Sequence, residues 1–130
     1  DTVVLPLIAK QIRERGHAND IKEIKLVYHA DQIKAIASLC DIMICSRMHL
    51  AIGALSSGVP IMAATYQGKF HGLFKHYELP ETLLLSPTDF ITPQFISTFN
   101  YLLSNKNLFV KTIERRQADI NQLSIKNLEE

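Results

Sequence analysis

An apolar helix is predicted from residue 47 to about residue 56, and two polar residues lie at its start. Arg47 is able to bind an anion, and His49 is able to give or take a proton. Ser46, directly before them, is a good N-cap residue. The free backbone N–H groups and the dipole at a helix N-terminus attract anions and repel cations. Cations placed there cost local stability unless a negative ligand compensates. The pattern therefore predicts an anion site with a proton donor beside it.

A second cation, Lys69, stands at the start of the next predicted helix, beside Gly68. A glycine at this point lets the backbone approach a ligand closely. Together, two helix N-termini with Arg47 and Lys69 form a cradle for a phosphate or a carboxylate. The structural alternatives remain open: Arg47 points into solvent, His49 bonds to a neighbouring strand, and Lys69 is a plain surface lysine.

Other residues with chemical potential give weaker signals. His71 and His76 are five positions apart, which does not place two ligands on one helical face, so no metal site is expected. Cys45 ends a predicted strand, where a buried structural thiol is favoured over a reactive one. The charged residues of the last helix are expected to form a solvated face; they are Glu114, Arg115, Arg116 and Asp119.

Apolar periodicity predicts the elements that position these residues. Helices are predicted at residues 5–15 with a stop at Gly16, at 31–40 with Asp31 as cap, and at 47–56, 68–77, 92–104 and 108–128. Short apolar runs predict strands at residues 24–28, 42–45, 59–64 and 83–85. Because the helix over 47–56 is apolar nearly all round, it is expected to be buried.

This alternation is typical of an α/β fold with a parallel sheet covered by helices on both faces. We therefore predict a Rossmann-like, three-layer domain over residues 1–130, with a terminal helix over 105–130. Ligands of such open sheets bind beyond the carboxyl ends of the strands. The loops at residues 29–31, 46–49 and 65–69 are thus expected to open on one edge of the sheet.

Composition narrows the class of protein. The chain has 130 residues, of which 47% are hydrophobic, and a net charge of +1, which argues against a nucleic-acid-binding protein. No apolar run approaches the length of a membrane span. Two cysteines without a CxxC pair fit a reducing cytoplasm, and a peripheral position at the inner membrane face is compatible with this. The start at Asp1, without an initiator Met, suggests the C-terminal part of a longer protein.

Three motifs between residues 40 and 69 occur in a particular order: Ser46-Arg47-Met48-His49, Gly58-Val59-Pro60 and Tyr66-Gln67-Gly68-Lys69. In this combination the chain resembles the polysaccharide pyruvyl transferase family, which carries Ser-Arg-Leu-His, Gly-Val-Pro and Tyr-Asp-Pro-Lys. The resemblance runs from about Ile24 to Pro80, and the last fifty residues fit in general character. The substitution of Gln67-Gly68 for Asp-Pro removes a carboxylate and loosens the loop.

The resemblance implies a GT-B-type protein, with an active site between two Rossmann-like halves and this chain as the C-terminal half. Members move the enolpyruvyl unit of phosphoenolpyruvate onto a sugar of a bacterial surface polysaccharide, without a metal or cofactor. The implied partners are phosphoenolpyruvate, a sugar or lipid-linked oligosaccharide acceptor, and the N-terminal domain of the same protein; this part alone is expected to be inactive. His49 is then the acid, and the implied substrate-binding residues are Ser46, Arg47, Met48, Tyr66 and Lys69.

Two alternatives stay open at this point. A GT-B glycosyltransferase half would bind the diphosphate of a nucleotide sugar at the same helix N-termini, and an acid contacting the ribose would favour it; Glu78 and Glu81 lie nearby in the sequence. A non-catalytic module derived from such a transferase would bind glycans or proteins without turnover.

Overall fold

The computed structural model describes the backbone of residues 4–24, 28–65 and 68–129, and the side chains of residues 6–24, 28–65 and 68–120. The helices are α1 (Val4–Ile12), α2 (Ala30–Ala37), α3 (Met48–Leu55), α4 (Lys69–His76), α5 (Pro93–Ser104) and α6 (Lys106–Glu129). The strands are β1 (Met43–Cys45), β2 (Ile61–Ala64) and β3 (Leu84–Leu85). Short helical turns cover Arg13–His17, Glu81–Leu83 and Asp89–Ile91.

The three strands form one parallel sheet in the order β1-β2-β3. The predicted α/β class with a parallel sheet is therefore confirmed, and the arrangement is compatible with a Rossmann-like fold. Of the strand predicted at residues 24–28, residues 25–27 lie outside the described residues, while Ile24 and Tyr28 belong to no strand.

One hydrophobic core joins the sheet to the surrounding helices. Leu55 of α3, Met62 of β2 and Phe74 of α4 are fully buried in one cluster with Leu102 of α5 and Ile113 of α6. Because residues from five elements share this cluster, the sheet and the helices that follow its strands are held as one packed unit.

Two predicted helix starts are wrong by one or two residues. α2 begins at Ala30, and its N-cap residue is His29, whose backbone N–H donates a hydrogen bond of 3.0 Å to Gln32 Oε1. Asp31 lies inside the first turn, where a carboxylate is favourable without capping. In α3 the N-cap residue is Arg47, with extended backbone, so Ser46 precedes the cap instead of forming it.

The expected full burial of α3 is also wrong. Its Ala51, Ala54 and Leu55 are buried, but Ile52 is 43% exposed and His49 is exposed. α3 contacts β1, β2, α2 and α4. His49 and Ile52 are three positions apart, so they lie on one side of the helix, and both are exposed.

A glycine follows the end of α3. Gly58 has a φ of 80°, and its N–H donates to the Leu55 carbonyl at 3.0 Å. A left-handed residue just beyond a helix turns the chain and satisfies the last carbonyl groups. The chain then enters β2 through Pro60, whose carbonyl accepts a 2.9 Å hydrogen bond from the Met43 N–H.

α6 supplies donors to the carboxyl ends of two other helices. Gln117 Nε2 donates to the Ser56 carbonyl at the end of α3, and Arg116 Nε donates at 2.9 Å to the His76 carbonyl at the end of α4. These carbonyls have no acceptor role inside their own helices. The positive guanidinium also complements the dipole of α4.

The expected solvated face of α6 is confirmed for Glu114, Arg115 and Asp119, which are exposed, while Arg116 is half-buried. Arg115 and Arg116 both form ion pairs with Glu78, and Arg116 also pairs with Asp119. Periodicity gives no sign of these contacts, because Glu78 is more than thirty positions away in the sequence. Ser56 precedes β2 in the chain, and His76 and Glu78 precede β3. These contacts therefore place α6 near the amino ends of the two strands, at the edge opposite their carboxyl ends.

Candidate functional site

Two of the predicted loops begin at one edge of the sheet. Cys45 at the end of β1 is in register with Ala63 of the parallel strand β2. Ser46 leaves β1 and Thr65 leaves β2 at this level, and the Thr65 N–H donates to the Leu85 carbonyl of β3 at 2.8 Å. The predicted shared edge is thus confirmed for these two loops. The third predicted loop, residues 29–31, follows Tyr28, which belongs to no strand, and leads into α2.

The loop after β1 carries Arg47 and His49 into the N-terminus of α3. Arg47 is the N-cap residue, and its carbonyl accepts the Ala51 N–H at 3.1 Å. His49 is the second residue of the helix, and both side chains are exposed. The first turn of α3 has no acidic residue of its own to complement the dipole. This arrangement suits an anion with an acid beside it.

The loop after β2 leads into the N-terminus of α4. Gly68 is the N-cap residue of α4 with a φ of 68°, a left-handed conformation that other side chains rarely adopt. The glycine is therefore required by the turn itself. Lys69, the first residue of the helix, is exposed, and the first turn of α4 also lacks an acidic residue. Two such helix ends follow neighbouring strands.

The remaining predicted binding residues divide into three cases. Ser46 is exposed in the loop after β1. Met48 is half-buried and packs against the core, which is the ordinary position of an apolar residue on an amphipathic helix. Tyr66 lies outside the described residues, as does Gln67.

A third polar loop at this edge was missed by the sequence analysis. Ser86 follows β3 directly, and its Oγ donates to Asp89 Oδ2 at 2.6 Å and lies 2.8 Å from Thr88 Oγ1. The Asp89 N–H in turn donates to Ser86 Oγ at 3.2 Å. The run Ser-Pro-Thr-Asp after the predicted strand 83–85 is a visible signal, and the rule on carboxyl ends of strands selects it.

The two acids considered for ribose binding have other partners. Glu78, with a φ of 54°, pairs with Arg115 and Arg116 of α6. Glu81 Oε1 lies 3.0 Å from His71 Nδ1. A ribose ligand is expected in a loop that directly follows a strand. Neither Glu78 nor Glu81 is in such a loop.

Cys45 is the structural thiol that its sequence position favours. It is 2% exposed, and burial, with a smaller contribution from Cys40, raises its pKa to about 11. The thiolate is the reactive form of a cysteine, and the raised pKa makes it scarce at neutral pH.

We expect iodoacetamide at pH 8 to alkylate exposed Cys40 in the folded chain and Cys45 only after unfolding, as read by mass spectrometry of peptides. Rapid alkylation of Cys45 in the folded chain would contradict its burial.

The described residues contain neither an evident metal site nor a membrane span. Among their side chains, no three His, Cys, Asp or Glu residues are grouped so that they could hold a metal ion. No helix within the described ranges combines the length and the apolar character needed to cross a bilayer.

Comparisons with known proteins identify no family for this chain. No protein-family model matches its sequence. No curated protein and no solved structure gives a significant match either. The resemblance to polysaccharide pyruvyl transferases stays a prediction that rests on the motifs at residues 46–49, 58–60 and 66–69.

Proposed function

We propose that this chain is the C-terminal domain of a polysaccharide pyruvyl transferase, which moves the enolpyruvyl unit of phosphoenolpyruvate onto a sugar. The observation that carries the proposal is the position of two cationic helix N-termini after neighbouring parallel strands. The Ser46-Arg47-Met48-His49 and Gly58-Val59-Pro60 motifs favour pyruvyl transfer over other reactions of anionic substrates. The proposed site is defined by Arg47, His49 and Lys69, together with the first turns of α3 and α4.

Phosphoenolpyruvate suits this site because it carries a carboxylate and a phosphate. The N–H groups of a helix N-terminus bind such oxygens, and the helix dipole favours their charge. The guanidinium of Arg47 can donate two parallel hydrogen bonds to one anionic group, and Lys69 adds a point charge on the neighbouring helix. We assign donor binding to these two side chains and to the two helix ends.

The reaction also needs a proton donor at the methylene carbon of phosphoenolpyruvate. Protonation of this carbon makes the adjacent carbon electrophilic, and a sugar hydroxyl then attacks it. A histidine can give and take protons near neutral pH. We assign the acid role to His49, which is exposed in the same helix turn as the Arg47 cap.

Anion binding by the chain itself tests the site. With phosphoenolpyruvate or inorganic phosphate, we expect amide shifts at residues 46–50 and 68–70, with a millimolar Kd, about 4 kcal/mol of binding free energy. Two-dimensional ¹H–¹⁵N NMR measures this. Arg47→Ala and Lys69→Ala should weaken binding, whereas Lys75→Ala, at the other end of α4, is the matched control. Unmoved amides at high millimolar ligand would exclude a local anion site.

Turnover tests the reaction. The intact protein should release phosphate from phosphoenolpyruvate when a lipid-linked sugar with two neighbouring hydroxyls is present, and the product should gain a pyruvate ketal detectable by mass spectrometry. A protein that binds phosphoenolpyruvate without turnover under all acceptors would instead support a non-catalytic module.

A glycosyltransferase half remains the second candidate because Asp89 lies in a loop at the same edge, directly after β3. A carboxylate in that place suits the hydroxyls of a ribose, and the helix N-termini suit a diphosphate. A nucleoside diphosphate is therefore the comparison ligand in the NMR titration. Tighter binding than phosphoenolpyruvate, with shifts at residues 86–89, would favour this candidate.

A further inference from the structure

A histidine–carboxylate pair lies next to the proposed donor site and has no role in it so far. His71 Nδ1 is 3.0 Å from Glu81 Oε1. His71 is the third residue of α4, so it shares the first turn of that helix with Lys69. Its partner Glu81 begins the short helical turn before β3.

The ring of His71 has Nδ1 close to the Glu81 carboxylate and Cδ2 close to Gly68, at the end of the loop after β2. A methyl group placed on Gly68, the N-cap residue of α4, would lie 3.9 Å from His71 Cδ2. Cδ2 is bonded to Nε2, so the Cδ2–Nε2 edge lies on the side of the helix N-terminus. The side chain is 47% exposed, which leaves Nε2 accessible to a solute.

The Glu81 carboxylate, 3.0 Å from Nδ1, favours the tautomer of His71 that carries its proton on that nitrogen. With the proton on Nδ1, the neutral ring keeps its lone pair on Nε2. An imidazole in this tautomer presents its Nε2 lone pair to a proton. The pair therefore has the construction of a general base.

We propose that His71 is the base that accepts the proton of the attacking sugar hydroxyl, with Glu81 as the residue that positions its ring. The proposal rests on the pyruvyl transferase function proposed above. It gives the two histidines opposite roles: His49 donates a proton to carbon, and His71 receives one from oxygen.

The proton balance of ketal formation leaves room for both roles. The sugar diol forms two new C–O bonds to the pyruvyl carbon and loses two hydroxyl protons, while the carbon loses its bond to the phosphate oxygen. One proton is gained at the methylene carbon, which becomes a methyl group, and one departs with phosphate as hydrogen phosphate. His49 supplies the proton on carbon, His71 takes the first hydroxyl proton, and exchange with water resets both.

A second histidine–carboxylate pair in the chain provides a matched control. His17 Nδ1 lies 3.0 Å from Asp20 Oδ2, and both side chains are exposed. This pair follows the helical turn Arg13–His17 and belongs to no loop at the carboxyl ends of the described strands. The two pairs share a distance of 3.0 Å between Nδ1 and a carboxylate oxygen and differ in their place in the fold.

The test combines turnover with an NMR readout. In the intact protein, His71→Gln should lower kcat about 100- to 10,000-fold, the usual share of a general base, with little change in the KM for phosphoenolpyruvate. Imidazole in the buffer should restore part of the turnover of His71→Ala. Glu81→Gln should cause a smaller loss, and the long-range ¹⁵N spectrum of His71 should lose its Nδ1–H preference. His17→Gln should change none of these.

The outcomes separate this proposal from the proposed function. A His71→Gln variant that keeps normal kcat, or a His71→Ala variant that imidazole does not rescue, overturns the base role and leaves the transferase function standing. A wild-type protein that releases no phosphate from phosphoenolpyruvate with any acceptor overturns the transferase function and this proposal together. Loss of kcat in His71→Gln with imidazole rescue of His71→Ala supports the base role.

Discussion

Under the proposed function, replacement of His49 with alanine is expected to lower the turnover of the intact protein about 100- to 10,000-fold, because this is the usual contribution of a general acid. The loss should fall on kcat, since donor binding is assigned to Arg47, Lys69 and the helix N-termini. The side chain is exposed, so its removal opens no cavity in the core. Phosphate release from phosphoenolpyruvate measures the effect.

Two controls make the result specific. Circular dichroism and urea unfolding should show that His49→Ala folds with nearly the stability of the wild type. His76→Ala removes another exposed histidine, at the opposite end of α4, and should keep its turnover. If His49→Ala turns over at a rate close to the wild type, the acid is another group and the family motif has lost its mechanistic role here.

The position of the candidate site could be predicted because it depends on topology. Alternating apolar runs predicted parallel strands, and parallel strands bring the loops after residues 45 and 64 to one edge whatever the details of packing. The start of α3 was predicted one residue early because Ser46 is a better capping side chain than Arg47. The capping preference of a side chain selects the N-cap residue only where the path of the backbone into the helix leaves more than one position possible.

The contacts of α6 and the His71–Glu81 pair could not be predicted in the same way. Gln117 meets the Ser56 carbonyl across 61 positions, and a polar helix surface does not reveal which carbonyl groups it will meet. His71 and Glu81 are ten positions apart with a helix end between them, so neither helical nor strand periodicity relates them. Such pairings follow from how the elements pack.

The exposure of α3 illustrates the limit of composition. A helix that is apolar nearly all round is expected to be buried, yet Ile52 is 43% exposed. The alanines at 51 and 54 lie on the buried side. The same asymmetry leaves His49, three positions before Ile52, open to a substrate.

Replacement of Phe74 with alanine is expected to lower the free energy of unfolding by about 3–5 kcal/mol, the usual cost of removing a buried aromatic side chain. Phe74 is 0% exposed and is the largest fully buried side chain of the described residues. It belongs to α4, which carries Lys69 and His71 at its other end. A cavity here therefore loosens the helix that presents half of the proposed donor site.

Urea unfolding followed by circular dichroism measures this loss, and the midpoint should fall with little change in slope. Ile91→Ala is the matched control, because Ile91 is 89% exposed and its truncation should change stability by less than about 0.5 kcal/mol. Most domains have only about 5–15 kcal/mol of stability, so Phe74→Ala removes a large share of it. The variant should also bind phosphoenolpyruvate more weakly, because the proposed site needs the first turn of α4 as well as that of α3. A loss of less than about 1 kcal/mol would place Phe74 outside a well-packed core.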